Sequence, residues 1–136
     1  DKYNSKEVWR ILKIYYRNKC KSSQKAFMWL ERYGISFEKQ NISQITIEDL
    51  LKLLTLTTEG INELIKNPER VNPKNEEELE KIAEMKLQRA LYYLKMNTSL
   101  FKTPIILDEN NYMVGYNSDE IRRFFPREYR KFLSGM

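Results

Sequence analysis

One cysteine and no histidine set the limits of what this chain can do chemically. Cys20 heads the run Cys20-Lys21-Ser22-Ser23, a C-x-x-S spacing. A thiol at the start of a helix meets unpaired backbone N–H groups and the positive end of the helix dipole, and both favour the thiolate. Lys19 and Lys21 flank the cysteine and act in the same direction. Ser23 can donate a hydrogen bond to the sulfur, yet it cannot close a disulfide with it. What is left is monothiol chemistry: a mixed disulfide, a sulfenic acid or a bond to another chain. The plainer alternative is a small residue filling a tight turn. The missing histidine removes the commonest general base and metal ligand, so neither a metal site nor a cofactor is expected.

Composition narrows the setting. The 136 residues are 41% hydrophobic and 32% charged, the make-up of one globular domain rather than of a disordered chain. A net charge of +5 suits an acidic protein partner or nucleic acid, but many ordinary domains share it. A lone cysteine excludes a disulfide-stapled secreted scaffold. No apolar run approaches the ~18–20 residues that a membrane span needs, and the polar start Asp1-Lys2-Tyr3-Asn4 has no signal-peptide character. These features point to the cytoplasm and away from a membrane. Residues 1–10 read as an N-terminal extension, either a processed or a truncated end.

The elements that must position Cys20 follow from periodicity. Ile11 to Tyr16 is β-branched and aromatic, which predicts a strand, and the polar turn from Arg17 to Ser22 follows it. Ala26, Phe27 and Leu30 recur at helical spacing, which predicts a helix from about Ser23 to Tyr33, closed by Gly34. Alternation over Ile35 to Ile42 predicts a second strand. The β-α-β order implies a parallel pair with a right-handed crossover. Thr46-Ile47-Glu48-Asp49 resembles a capping box ahead of Leu50, Leu51, Leu53 and Leu54. Gly60 opens or breaks a short helix through Ile65, and Asn67-Pro68 and Asn72-Pro73 bracket a loop. An acidic start at Glu76 and basic later turns predict one long helix to Met96, with Lys86 a defect in its apolar stripe. Ile105-Ile106-Leu107 and Tyr112 to Tyr116 form a hairpin, and Ser118 caps a last helix to Phe125. The order β-α-β, helices, β-β-α outlines a thioredoxin-like mixed sheet of α/β class. Residues 11–136 then make one domain, with a helical insertion over about 46–98.

Three stretches carry a family resemblance. They are Ile14 to Ala26 with Trp29-Leu30-Glu31, then Leu56-Thr57-Thr58-Glu59-Gly60, then Pro104 to Asp108 with Val114 to Arg127. Together they resemble the Spx branch of the arsenate reductase-related (ArsC-like) family, over roughly Leu12 to Phe132. The resemblance implies a thioredoxin-like sheet with a helical insertion and a cis peptide before Pro104. It also implies a bacterial transcription regulator of the stress response, which binds the C-terminal domain of the RNA polymerase α subunit and is a monomer when free. Contact would run through the surface around Gly60, Cys20 and Ser23, with any DNA contact weak and dependent on the polymerase.

Two departures from the family pattern bear on function. Redox-sensing Spx members carry C-x-x-C, whereas Ser23 stands at the second position, so an intramolecular thiol switch is impossible. The reductases hold an oxyanion with arginines near the thiol. At those places this chain has Lys102-Thr103 before Pro104 and Tyr116-Asn117, with Arg70 near a third. Lysine supplies charge without the bidentate fork of arginine. The reading is therefore a non-enzymatic regulator. Its rival is a monothiol oxidoreductase of ArsC-like type, with Cys20 as nucleophile, Ser23 supporting the thiolate and Lys102 drawing in an anion. Arg122, Arg123, Arg127, Arg130 and Lys131, interleaved with Phe124, Tyr129 and Phe132, can touch phosphate or form a solvated face anchored by aromatics.

Overall fold

A computed structural model describes residues 12–67 and 73–126. Strand β1 (Leu12–Tyr16) runs through the middle of a four-stranded sheet of order β2-β1-β3-β4. It pairs in parallel with β2 (Phe37–Asn41), Leu12 facing Phe37 and Tyr16 facing Asn41. On its other side it pairs antiparallel with β3 (Ile105–Leu107), Ile14 facing Ile106. Antiparallel β4 (Tyr112–Val114) completes the sheet, Met113 facing Ile106.

Successive side chains of a strand point to opposite faces, and the sheet uses that alternation to feed two cores. Leu12, Ile14, Ile106 and Met113 pack with Ala26 and Leu30 of helix α1 (Lys21–Arg32) and with Ile121 and Phe124 near the chain's C-terminal end. Tyr15, Ile105 and Leu107 point the other way, into a larger core. That core takes Leu50 and Leu53 from α2 (Ile47–Leu56), Leu79 and Ile82 from α3 (Pro73–Ala83), and Ala90, Leu91 and Leu94 from α4 (Leu87–Met96). The result is a layered α/β architecture with helices on both faces. Across the larger core, the Lys13 ammonium meets Asp49 of α2 at 2.9 Å, and the Tyr15 hydroxyl donates to the same carboxylate. Burial and then the bond to Asp49 raise the Tyr15 pKa, so the phenol stays a donor.

Several boundaries differ from those the sequence predicts. Helix α1 begins two residues early, at Lys21, which makes Cys20 its N-cap and places Ser23 in its first turn. Strand β2 is shorter than predicted because Asn41 caps a 3-10 turn over Ile42–Gln44 through its side chain. The Thr46 hydroxyl accepts the Asp49 amide at 3.0 Å as expected, but the Asp49 carboxylate serves Lys13 and Tyr15 instead of returning to the cap.

The predicted long helix is two helices. A single rod from Glu76 to Met96 would be about 30 Å long. Four strands at ~4.8 Å spacing offer a surface only ~15–20 Å wide, so half of the rod would hang free. Instead α3 closes with the short-range bonds Glu84 N–H to Lys81 C=O and Met85 N–H to Ile82 C=O. Lys86 then turns extended (φ −65°, ψ 149°) and caps α4, so both halves reach one core. The last predicted helix is a 3-10 turn over Glu120–Phe124 with Asp119, not Ser118, at its N-cap position, and the Asn117 side chain holds the lead-in. The Asn117 side-chain oxygen accepts the Asp119 and Glu120 amides, both at 2.9 Å. Ile11 and the tail from Arg127 onward lie outside the described residues.

Leu30 is fully buried between α1 and the sheet. Leu30→Ala should lower unfolding free energy by about 2–5 kcal/mol, read as a lower urea midpoint at unchanged slope. A loss below about 1 kcal/mol would show that this face of the sheet is loosely packed.

Candidate functional site

The site grows from the end of β1. After Tyr16 the chain turns through Arg17-Asn18-Lys19, where Lys19 takes a positive φ of 60°, a conformation uncommon for a residue with a side chain. The turn closes with the Cys20 amide donating to the Arg17 carbonyl at 3.3 Å, and α1 starts with the Gln24 amide on the Cys20 carbonyl at 3.1 Å. Cys20 is half-buried, whereas Ser23 is 1% exposed and accepts the Arg17 amide on its hydroxyl at 3.5 Å.

The opposite wall is the segment before β3. The Thr103-Pro104 peptide is cis, as the resemblance implies. Thr103 faces the thiol twice: its hydroxyl lies 3.3 Å from Cys20 Sγ, and its carbonyl accepts from the thiol at 3.9 Å. Arg17 ties the turn to the same segment, donating through Nη2 to the carbonyls of Thr98 at 2.8 Å and Phe101 at 3.1 Å.

Burial is the largest single influence on the Cys20 thiol and pushes its pKa up. The hydroxyl of Ser23, the side chain of Thr103 and the amides of Ser23 and Ser22 together outweigh it, leaving the pKa below its ordinary value. The sulfur forms no capping hydrogen bond of standard geometry, so the amides act at longer range. Two cations share the site. Arg17 and Lys66 are both shifted down by burial first, Lys66 also by repulsion from Arg17, and both are pulled back up by the charge of Cys20.

Lys66 arrives from the helical region by strand-like pairing. Its amide donates to the Leu100 carbonyl at 2.9 Å, the Lys102 amide donates to the Leu64 carbonyl at 2.9 Å, and Ile65 bridges Phe101 between them. Four residues before Leu64, Gly60 (φ +68°) opens a 3-10 turn over Gly60–Glu63. That turn buries none of its residues. A continuous set of bonded segments thus runs from the Gly60 turn through Leu64–Lys66 and Phe101–Thr103 to the thiol.

The structure brings together Cys20, Ser23 and Thr103. It places the Lys102 side chain in a cleft of about 230 Å³ with Glu63, Tyr112, Glu120 and Arg123. The cations whose charge couples to the thiol are Arg17 and Lys66. Sequence reading passes over both. Arg17 stands in the turn next to Cys20 and is legible by proximity, whereas Lys66 is 46 residues away and is brought in by tertiary pairing alone. Arg123 donates to the Tyr112 carbonyl at 2.7 Å and lies 3.8 Å from Glu120, so it is a structural clamp. Arg70, Arg127, Arg130 and Lys131 lie outside the described residues. Among the described residues no cluster of acidic or cysteine side chains can hold a metal ion, and no helix is long and apolar enough to cross a membrane.

The strand–thiol–helix turn, the cis-proline opposite it and the helical layer between β2 and β3 define a class, and the comparisons agree. The chain belongs to the ArsC family, which residues 15–124 match. Within that family it groups with the global transcriptional regulators named Spx. It is 37% identical over 123 residues to Spx of Enterococcus faecalis, covering 89% of this chain and 91% of that one. It is 34% identical over 120 residues to Spx 2 of Oceanobacillus iheyensis, covering 87% of each. The crystal structure of an ArsC family related protein from Bacteroides fragilis superposes with a TM-score of 0.72 at 22% identity, over 86% of this chain and 99% of that one. At that identity the superposition speaks for the fold alone.

A thiolate favoured by Ser23 and Thr103 should alkylate at lower pH than an ordinary cysteine, whose pKa is about 8.5. The midpoint of iodoacetamide reaction with pH is expected below that of the unfolded chain, and Ser23→Ala and Thr103→Val should each move it upward. A midpoint that neither substitution moves would remove these hydroxyls as the cause.

Proposed function

We propose that this chain is an Spx-type transcription regulator that docks on the C-terminal domain of the RNA polymerase α subunit through the surface around Gly60 and Cys20, with Ser23 buried behind the thiol as its support rather than as a contact. It acts in the cytoplasm as a binding module rather than an enzyme. Any contact with DNA is weak and made only with the polymerase. A single cysteine closes no intrachain disulfide, so docking does not wait on such a bond forming.

The observation that carries this reading is the Gly60 turn itself. It is a structured turn with no buried residue, continuous by backbone pairing with the wall of the thiol site. A Cβ at Gly60 would touch only Leu54 Cδ2, at 4.0 Å, so the site has room for a side chain on the protein's own side. The positive φ of 68° already favours glycine there, and a long side chain would in addition reach over the face offered to a partner. The relatives named as transcriptional regulators match this chain across both the thiol turn and the Gly60 turn.

A second reading rests on a separate observation. The depressed thiol pKa, with Arg17 and Lys66 beside it, is what a nucleophilic cysteine needs. That reading makes the chain a monothiol oxidoreductase, with Lys102 drawing an anion toward the cleft.

Purified α C-terminal domain should bind the wild-type chain in a pull-down and by calorimetry. Gly60→Arg should weaken binding by about tenfold or more, as expected for a side chain placed in the centre of an interface. Gly60→Ala separates backbone strain, ~1–2 kcal/mol at this φ, from obstruction. Cys20→Ser should bind within about twofold of wild type, because it conserves the side-chain outline. Wild type that does not bind, or a Gly60→Arg chain that binds as well, would sink the docking reading. Arsenate supplied with glutathione is expected to show no turnover above buffer. Turnover that Cys20→Ser abolishes would favour the oxidoreductase instead.

A further inference from the structure

The Gly60 turn has no fully buried residue, and its one apolar anchor is Ile61, half-buried against the larger core; the rest of its shape is held by hydrogen bonds. The hydrogen bonds converge on one residue. Glu63 Oε2 accepts the Glu59 amide at 2.7 Å and the Thr58 hydroxyl at 3.5 Å, tying together the two residues that lead into Gly60. Glu63 Oε1 accepts the Tyr112 hydroxyl at 2.5 Å. Tyr112 lies on β4, and its carbonyl is gripped in turn by Arg123. One carboxylate therefore both closes the turn and moors it to the edge of the sheet.

We propose that Glu63 and Tyr112 are positioning residues for partner docking, with the Tyr112 hydroxyl fixing Glu63 so that the turn presents Gly60 in a single, binding-competent shape. The inference rests on the docking reading above and adds to it the residues that prepare the surface. The titration behaviour of the pair agrees with the geometry. The bond from Tyr112 is the first cause holding the Glu63 carboxyl below its usual range, the Glu59 amide the second. The same bond pushes the Tyr112 phenol up to about 12. Across neutral pH the carboxylate is charged and the phenol protonated, so the donor and both acceptors are in place. Binding to a protein whose competent shape is only part of the population is weakened by that fraction. Loosening the turn through the Tyr112 hydroxyl, which lies outside it on β4, therefore costs affinity through the turn's shape.

The test measures affinity for the α C-terminal domain in wild type, Tyr112→Phe, Glu63→Ala and the double variant. Tyr112→Phe keeps the ring and its packing and removes only the donor. It should weaken binding about five- to tenfold, and in the Glu63→Ala background it should cost less than about twofold more, because the two residues act through one bond. The proton resonance of the Glu59 amide gives a second readout, which a purely structural role for the ring would leave alone. It should move upfield in Tyr112→Phe while the amides of β3 stay in place. Wild-type binding that Tyr112→Phe leaves within about twofold, losses that multiply in the double variant, or an unmoved Glu59 resonance would overturn the positioning role and leave the docking reading standing. A wild-type chain that does not bind overturns the docking reading and the positioning role with it.

Discussion

β1 is five residues long, and it pairs on both edges and feeds both cores. Ile14 and Tyr15 are fully buried on opposite faces of the sheet. Neither can move without disturbing a helical layer. That constraint fixes where the chain leaves the sheet after Tyr16, and so where the thiol must stand. It also fixes β3, whose Ile105 is placed by pairing with Tyr15 directly after the cis-proline. The two walls of the site are thus the end of β1 and the start of β3, which meet at one end of an antiparallel pair, and the thiol's contact with Thr103 follows from strand register. Lys13 and Tyr15 extend the same constraint to the helical layer through the Asp49 carboxylate, which is mostly shielded from water.

The electrostatics of the site reflect a contest between burial and polar contacts. Burial alone would keep Cys20 a neutral thiol. Hydroxyl and amide donors outweigh burial and leave the thiol's pKa below its ordinary value, and two cations that are themselves penalised by burial add their charge nearby. Arg17 is held by two backbone carbonyls, so its position owes nothing to the thiol. An arrangement fixed in advance costs nothing to reorganise when the sulfur changes charge.

The parts legible in the sequence were those whose signals are local. The β-α-β opening, the Thr46 cap and the final hairpin each announce themselves within a few residues. The cis bond before Pro104 followed from resemblance, because nothing in Thr103-Pro104 itself distinguishes the isomers. The break between α3 and α4 was hidden by a charge gradient that suits one long helix as well as two short ones, although Lys86 marked the place. Asn117, Ser118 and Asp119 are all residue types that suit a helix start, and only the path of the chain after β4 chooses among them. Lys66 and Glu63 carried no local signal. Their roles come from the pairing of Leu64–Lys66 with Leu100–Lys102 and from a tyrosine on β4.

The sheet order leaves β2 with one partner among the described residues, which makes it an edge strand. Such an edge invites another strand, and many proteins aggregate by that route. Here the strand reads Phe-Glu-Lys-Gln-Asn, polar at four of its five positions. Lys39 lies over the rings of Phe27 at 4.5 Å and Tyr16 at 5.2 Å, so its charge sits on the aromatic surface an intruding strand would have to cover. Adding a strand there would strip water from an ammonium group and displace it from its aromatic seat. Of the two edge strands among the described residues, β2 is thereby guarded against growing into a shared sheet with a copy of the chain.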